Sequence, residues 1–205
     1  MKSLAGHNLA DPLQLNVPDP FHLTFLREPV ARQFSSYQDT VQNGGNKLSF
    51  EEDLRQNPQR TNLHVKLMAG GLDLDKAKRY LERCDFVGLT EKFDLSLHIL
   101  NKLKPCPLNL KYKRRRTART NEVRQPLTRD PRMVELARHH NQLDLALYDF
   151  AIQEIFPKMC AKAGLTPDDN VTSFEHYTSE WQWRYRLCHA YNLAVYRQLG
   201  KLRRS

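Results

Sequence analysis

The sequence predicts an α/β domain organised around a parallel sheet. Three observations carry that expectation. The segment from Phe21 to Tyr37 reads as strand, turn and helix, and the segment from Asp85 to Leu103 repeats the arrangement. The length of 205 residues suffices for one substantial core without a disulfide scaffold.

In the first unit, the β-favouring run Phe21-His22-Leu23-Thr24-Phe25-Leu26 precedes Pro29, which suits the first turn of a helix. Val30, Phe34, Tyr37 and Val41 then recur at helical spacing. Arg27 is expected at the strand end and Ser35 on the following helix, a geometry able to clamp an anion from two directions. The polar stretch from Gln42 to Pro58 is broken at Gly44-Gly45 and predicts a loop with a short helix around Phe50 to Leu54. Beyond Asn62 to Met68, Ala69-Gly70-Gly71 reads as a connection, because the full glycine-lysine-serine or threonine pattern of a phosphate loop is absent. Asp73 is placed to cap a helix bearing Ala77, Tyr80, Leu81 and Cys84.

The second unit opens with Asp85-Phe86-Val87-Gly88-Leu89 as a short buried strand. Thr90 offers a cap to a helix carrying Phe93, Leu97, Leu100 and Leu103 on one side. Two strand-to-helix crossovers favour a parallel sheet over a helical bundle, and open parallel sheets bind ligands beyond the carboxyl ends of their strands. Pro105 and Pro107 interrupt that helix, and a basic stretch follows, in which Lys111, Lys113, Arg114, Arg115, Arg116, Arg119 and Arg124 oppose Glu122; it is expected as an exposed loop. From Met133 to Ile155, Leu136, Ala137, His140, Leu143, Leu147, Phe150 and Ala151 mark a long amphipathic helix. After Gly164, Pro167 and Asp168-Asp169-Asn170, the spacing of Phe174, Tyr177, Trp181, Tyr185, Cys188, Tyr191 and Val195 predicts a final helix with an aromatic face. Covering the core, binding an acceptor and joining another subunit all fit that face. No internal repeat or domain boundary emerges.

Lys and Arg number 32 against 23 Asp and Glu, a formal charge of +9 that favours a polyanionic partner: nucleic acid, a phosphate-bearing cofactor or an acidic glycan. Cys84, Cys106, Cys160 and Cys188 have neither the paired spacing nor the neighbouring histidines of a zinc site, so no metal is expected, and they leave the redox compartment open. Asn170-Val171-Thr172 is a glycosylation triplet only in a secretory context. No apolar run is long enough to span a membrane, and Met1 to His7 lacks the apolar stretch of a signal peptide.

Gly6-His7, the run from Phe25 to Tyr37, Asn62 to Gly70, Phe86 to Asp94 and Asn141 to Ala151 together resemble the carbohydrate sulfotransferases that include heparan sulfate 2-O-sulfotransferases, in order across residues 6–155. The resemblance implies a parallel-sheet fold related to P-loop nucleoside triphosphate hydrolases. It also implies 3′-phosphoadenosine-5′-phosphosulfate (PAPS) as sulfuryl donor, adenosine 3′,5′-bisphosphate (PAP) as product and a glycan as acceptor. In that family the residues matched by Arg27 and Ser35 bind the 3′-phosphate, and the helix amides are expected to assist. His7 matches the general base that takes the proton of the attacking hydroxyl. Arg114, Arg115 and Arg116 are candidates to receive the acidic acceptor or the departing nucleotide.

Related enzymes carry an upstream 5′-phosphosulfate loop with a lysine, whereas six residues precede His7. The expectation is therefore a partial sulfotransferase domain over 1–205 that lacks its first phosphate-loop unit, binds PAP more readily than it transfers sulfate, and is completed by an amino-terminal segment or a partner chain. A cytoplasmic location follows for a complete bacterial protein, and a Golgi-luminal or membrane-associated one for part of a eukaryotic precursor. The alternative function is a noncatalytic protein that binds PAP, acidic glycan or nucleic acid.

Overall fold

The computed structural model describes residues 21–104 and 120–171. Strand β1 (Leu23–Leu26) leads into helix α1 (Pro29–Gln42), followed by α2 (Phe50–Gln56), α3 (Leu63–Ala69) and α4 (Leu74–Arg83). Strand β2 (Phe86–Leu89) then precedes α5 (Phe93–Leu103), and α6 (Arg124–Arg129), α7 (Pro131–His140), α8 (Gln142–Phe150) and α9 (Phe156–Lys162) complete the order. The strands pair in parallel, with Leu23 opposite Phe86 and Leu26 opposite Leu89.

Both predicted strand-to-helix units are present. Pro29 starts α1, where its missing N–H costs nothing, and Val30, Phe34 and Tyr37 turn inward. They form one apolar cluster with Phe50, Leu54 and Ala137, in which the Phe34 and Tyr37 rings meet Phe50 edge-on at 5.2 and 5.3 Å between centroids. The second cluster surrounds β2, whose four residues are all buried, and draws on α3, α4, α5, α8 and α9. Phe25 lies opposite Gly88, where a Cβ would come within 2.5 Å of its ring. The absence of that atom lets the ring cross β2 and reach Phe86 and Phe93 at 5.5 and 5.4 Å.

The sheet itself departs from expectation. Among the described residues it has two strands of four residues each in a helix-dominated domain, not the multi-strand core of a P-loop relative. The physical reason is the spacing of the apolar residues. Val65, Met68 and Ala69, then Ala77 and Leu81, then Leu95, Ile99 and Leu100 are buried at intervals of three and four, which only a helix can turn to one side. Among the described residues only 23–26 and 86–89 form strands. No helix among the described residues is long and apolar enough to cross a membrane.

Smaller corrections follow from local chemistry. Thr90 does not cap α5: it opens a one-turn 3-10 helix (Thr90–Lys92), and its hydroxyl donates to Glu91. Cys84 lies just past the end of α4 as its cap residue. The long helix expected from Met133 to Ile155 breaks at Asn141 between α7 and α8 and passes into a π-helical turn at Ala151–Ile155. Pro157 has no N–H to offer Gln153, and the wider turn just before it absorbs that missing bond. The predicted helix from Phe174 to Val195 lies outside the described residues.

Candidate anion-binding site

Arg27 occupies the turn between β1 and α1, where its half-buried side chain lies at the carboxyl end of the parallel pair. Two carboxylates shape this turn. Glu28 caps α1, accepting from the amides of Val30 and Ala31 at 3.0 and 2.5 Å. Glu91, at the end of β2, accepts from the amide of Glu28 at 3.0 Å, from the Thr90 hydroxyl at 3.1 Å and from the Tyr148 hydroxyl at 2.8 Å. Burial and this acidic partner push the Tyr148 phenol far above its ordinary value, so it remains a proton donor. With both carboxylates engaged by these donors, Arg27 has no ion pair among the described residues. Burial lowers its pKa and the positive charge of Arg124 acts in the same direction, against smaller opposing effects of Glu91 and Glu28.

The cap also corrects one expectation. Pro29 has no N–H, and the amides of Val30 and Ala31 are already satisfied by Glu28, so the first turn of α1 is not free to assist a phosphate.

Ser35 is half-buried on that helix. It shares one side of α1 with Ala31, Gln38 and Gln42, since these residues recur at three and four. The same side receives the chain after the basic stretch: Gln42 Nε2 donates to the carbonyl and hydroxyl of Thr120 at 3.3 and 3.2 Å, and Gln38 Oε1 accepts from the amide of Arg124 at 2.9 Å. Arg124 is half-buried and, like Arg27, has no ion pair among the described residues. It stood in the basic stretch without being singled out. The available signal was its position, last in the run and two residues before Pro126.

Behind α1 lies a buried polar network that holds the helix in place. Asn62 Oδ1 accepts from the amides of Leu143 and Asp144 at 3.0 and 3.1 Å, while the Asp144 carboxylate accepts from those of His64 and Val65 at 3.1 and 2.9 Å. Each helix, α3 and α8, thus has its N-terminus satisfied by a residue from the start of the other. Asn62 adopts the left-handed conformation, with φ of 47°, that this exchange requires. Arg32 joins α1 to the pair: its Nη2 lies 3.5 Å from Asp144 and donates to Asn141 Oδ1 and the Arg60 carbonyl, both at 3.1 Å. None of these residues was assigned a role from sequence, although Asn62 and Asp144 fall within the stretches of resemblance.

Arg27 and Ser35 therefore lie on consecutive elements, one in the turn before α1 and one along its side. His7, Arg114, Arg115 and Arg116 lie outside the described residues. Comparison with known families, curated proteins and solved structures finds no match for the chain.

Proposed function

We propose that the chain is the nucleotide-binding part of a PAPS-dependent carbohydrate sulfotransferase and holds the ribose 3′-phosphate of PAPS or PAP with Arg27 and Ser35. The observation that carries this reading is a half-buried guanidinium at the carboxyl end of a parallel strand with no carboxylate bound to it among the described residues. A charge held there without a partner is costly to fold and suited to an anionic ligand. Arginine offers a planar fork that matches two phosphate oxygens, and the serine hydroxyl adds a short neutral donor. PAPS supplies the activated sulfuryl group when bound. The chain's part is to hold the nucleotide so that a carbohydrate hydroxyl attacks sulfur in line, and His7 is the residue proposed to take the hydroxyl proton.

Titration calorimetry of the 205-residue protein with PAP tests the binding step separately from transfer. Arg27→Ala is expected to weaken PAP by about tenfold to a hundredfold, the loss of charge-assisted bonds to phosphate. Ser35→Ala should cost less, about threefold to tenfold. Folded protein that takes up no PAP, or an Arg27→Ala variant that binds it unchanged, ends the proposal.

A further inference from the structure

The Glu91 carboxylate lies beside the turn that carries Arg27 and yet forms no ion pair with it. Glu91 Oε1 accepts at 3.0 Å from the amide of Glu28, the peptide nitrogen that follows Arg27, which puts the carboxylate within reach of a flexible arginine side chain. No ion pair joins the two residues among the described ones. The donors on the carboxylate account for this. Oε1 carries two of them, the Glu28 amide and the Thr90 hydroxyl at 3.1 Å, whereas Oε2 carries one, the Tyr148 hydroxyl at 2.8 Å. A guanidinium fork needs both oxygens of a carboxylate at once. With Oε1 doubly engaged, the phenol on Oε2 is the group that stands in the way of the fork.

Tyr148 is itself held firmly. It is 6% exposed on α8, four residues beyond Asp144 and so on the same side of that helix, and Asp144 lies 3.5 Å from Arg32 Nη2. On α1, the cap Glu28 and Arg32 are likewise four residues apart. Two rungs therefore join α1 to α8: Arg32 to Asp144, and Glu28 through Glu91 to Tyr148. Together they fix the phenol against the turn before α1.

We propose that Tyr148 is a positioning residue of the anion site: by holding Glu91 Oε2 it keeps that carboxylate from pairing with Arg27 and leaves the guanidinium for a phosphate. This inference rests on the nucleotide-binding reading and adds to it a residue from a helix distant in sequence. Without the hydroxyl, Oε2 is released, and Glu91 competes with the phosphate for one cation. The predicted defect is therefore a competing negative charge, which removal of that charge cures.

The test is calorimetry of PAP on the full chain and on Tyr148→Phe, Glu91→Gln, the double variant of both, and Arg27→Ala. Tyr148→Phe should weaken PAP by about twofold to fivefold, the range set by an ion pair at a partly exposed site. Glu91→Gln keeps an acceptor for the Glu28 amide and should bind PAP at least as tightly as the parent. The double variant should recover the parent affinity. Because it lacks the hydroxyl just as Tyr148→Phe does, any packing cost of that loss is common to both proteins and cannot produce the recovery. Thr90→Val removes another donor to the same carboxylate from an exposed position; it should show a smaller loss with the same cure, and it serves if Tyr148→Phe does not fold. Equal affinities for Tyr148→Phe and the double variant, both below the parent, overturn the proposal, as does weakened binding by Glu91→Gln alone. Tyr148→Phe that binds PAP as the parent does, while Arg27→Ala does not, overturns the role of Tyr148 and leaves the nucleotide reading standing. Arg27→Ala that binds PAP unchanged ends that reading and this inference with it.

Discussion

His64 sits in the buried network with its side chain 13% exposed, its Nδ1 3.8 Å from Asp144 and no hydrogen bond to that nitrogen. Burial pushes its pKa down to about 4, Asp144 pulls it upward and Arg32 pushes it further down. The folded chain therefore keeps this imidazole neutral at pH values where an unfolded one, ordinarily near 6.5, is already protonated. Between those values the unfolded state holds more protons, so stability is fully present above about pH 6.5 and is lost as the pH falls toward 4. The gap between the two values corresponds to roughly 3 kcal/mol at most. His64→Gln removes the titrating group and should flatten this part of the profile. Urea unfolding between pH 7 and 4.5 measures it, and parallel profiles for the two proteins would sink the assignment. Little of this was legible in the sequence. A histidine between Leu63 and Val65 reveals nothing of a carboxylate 80 residues later, and the exchange of caps between Asn62 and Asp144 is invisible to any local pattern.

Elements were easier to read, because their causes are local. Pro29, the run of apolar residues in α1, the cap Asp73 and the buried stretch 86–89 all act within a few positions, and each appears where expected. The number of strands did not follow, since a strand-to-helix unit states its own form and not how many neighbours it pairs with. What the pairing does for the site can be tested at Gly88. A Cβ there would meet the Phe25 ring at 2.5 Å, and that ring is held on its other sides by Phe86 and Phe93. Gly88→Ala must displace the ring or part the strands, at a cost of about 1 to 3 kcal/mol. Because Phe25 is two residues from Arg27, the displacement should also weaken PAP, whereas Gly45→Ala, in open space though at a positive φ of 67°, should lower stability modestly without touching affinity. Equal PAP affinity in the Gly88→Ala protein would separate the strand register from the site.

At the scale of the whole molecule, the charge of +9 offers a second explanation for any affinity for anions. A basic protein attracts polyanions through its summed field, and such binding falls steeply with salt and depends little on any one cation. A built site behaves in the opposite way, since its affinity depends on a few groups whose positions are fixed by the fold. Arg27 distinguishes the two because its removal changes the formal charge by one in +9 while taking away the guanidinium at the strand end. On a heparin column, Arg27→Ala should elute at nearly the same salt concentration as the parent, even though it loses most of its PAP affinity. The same column run should place a variant with several exposed basic residues neutralised much earlier, with PAP binding kept. Should Arg27→Ala instead elute as early as that multiply neutralised protein, the arginine acts as one part of a diffuse basic surface and not as part of a built site.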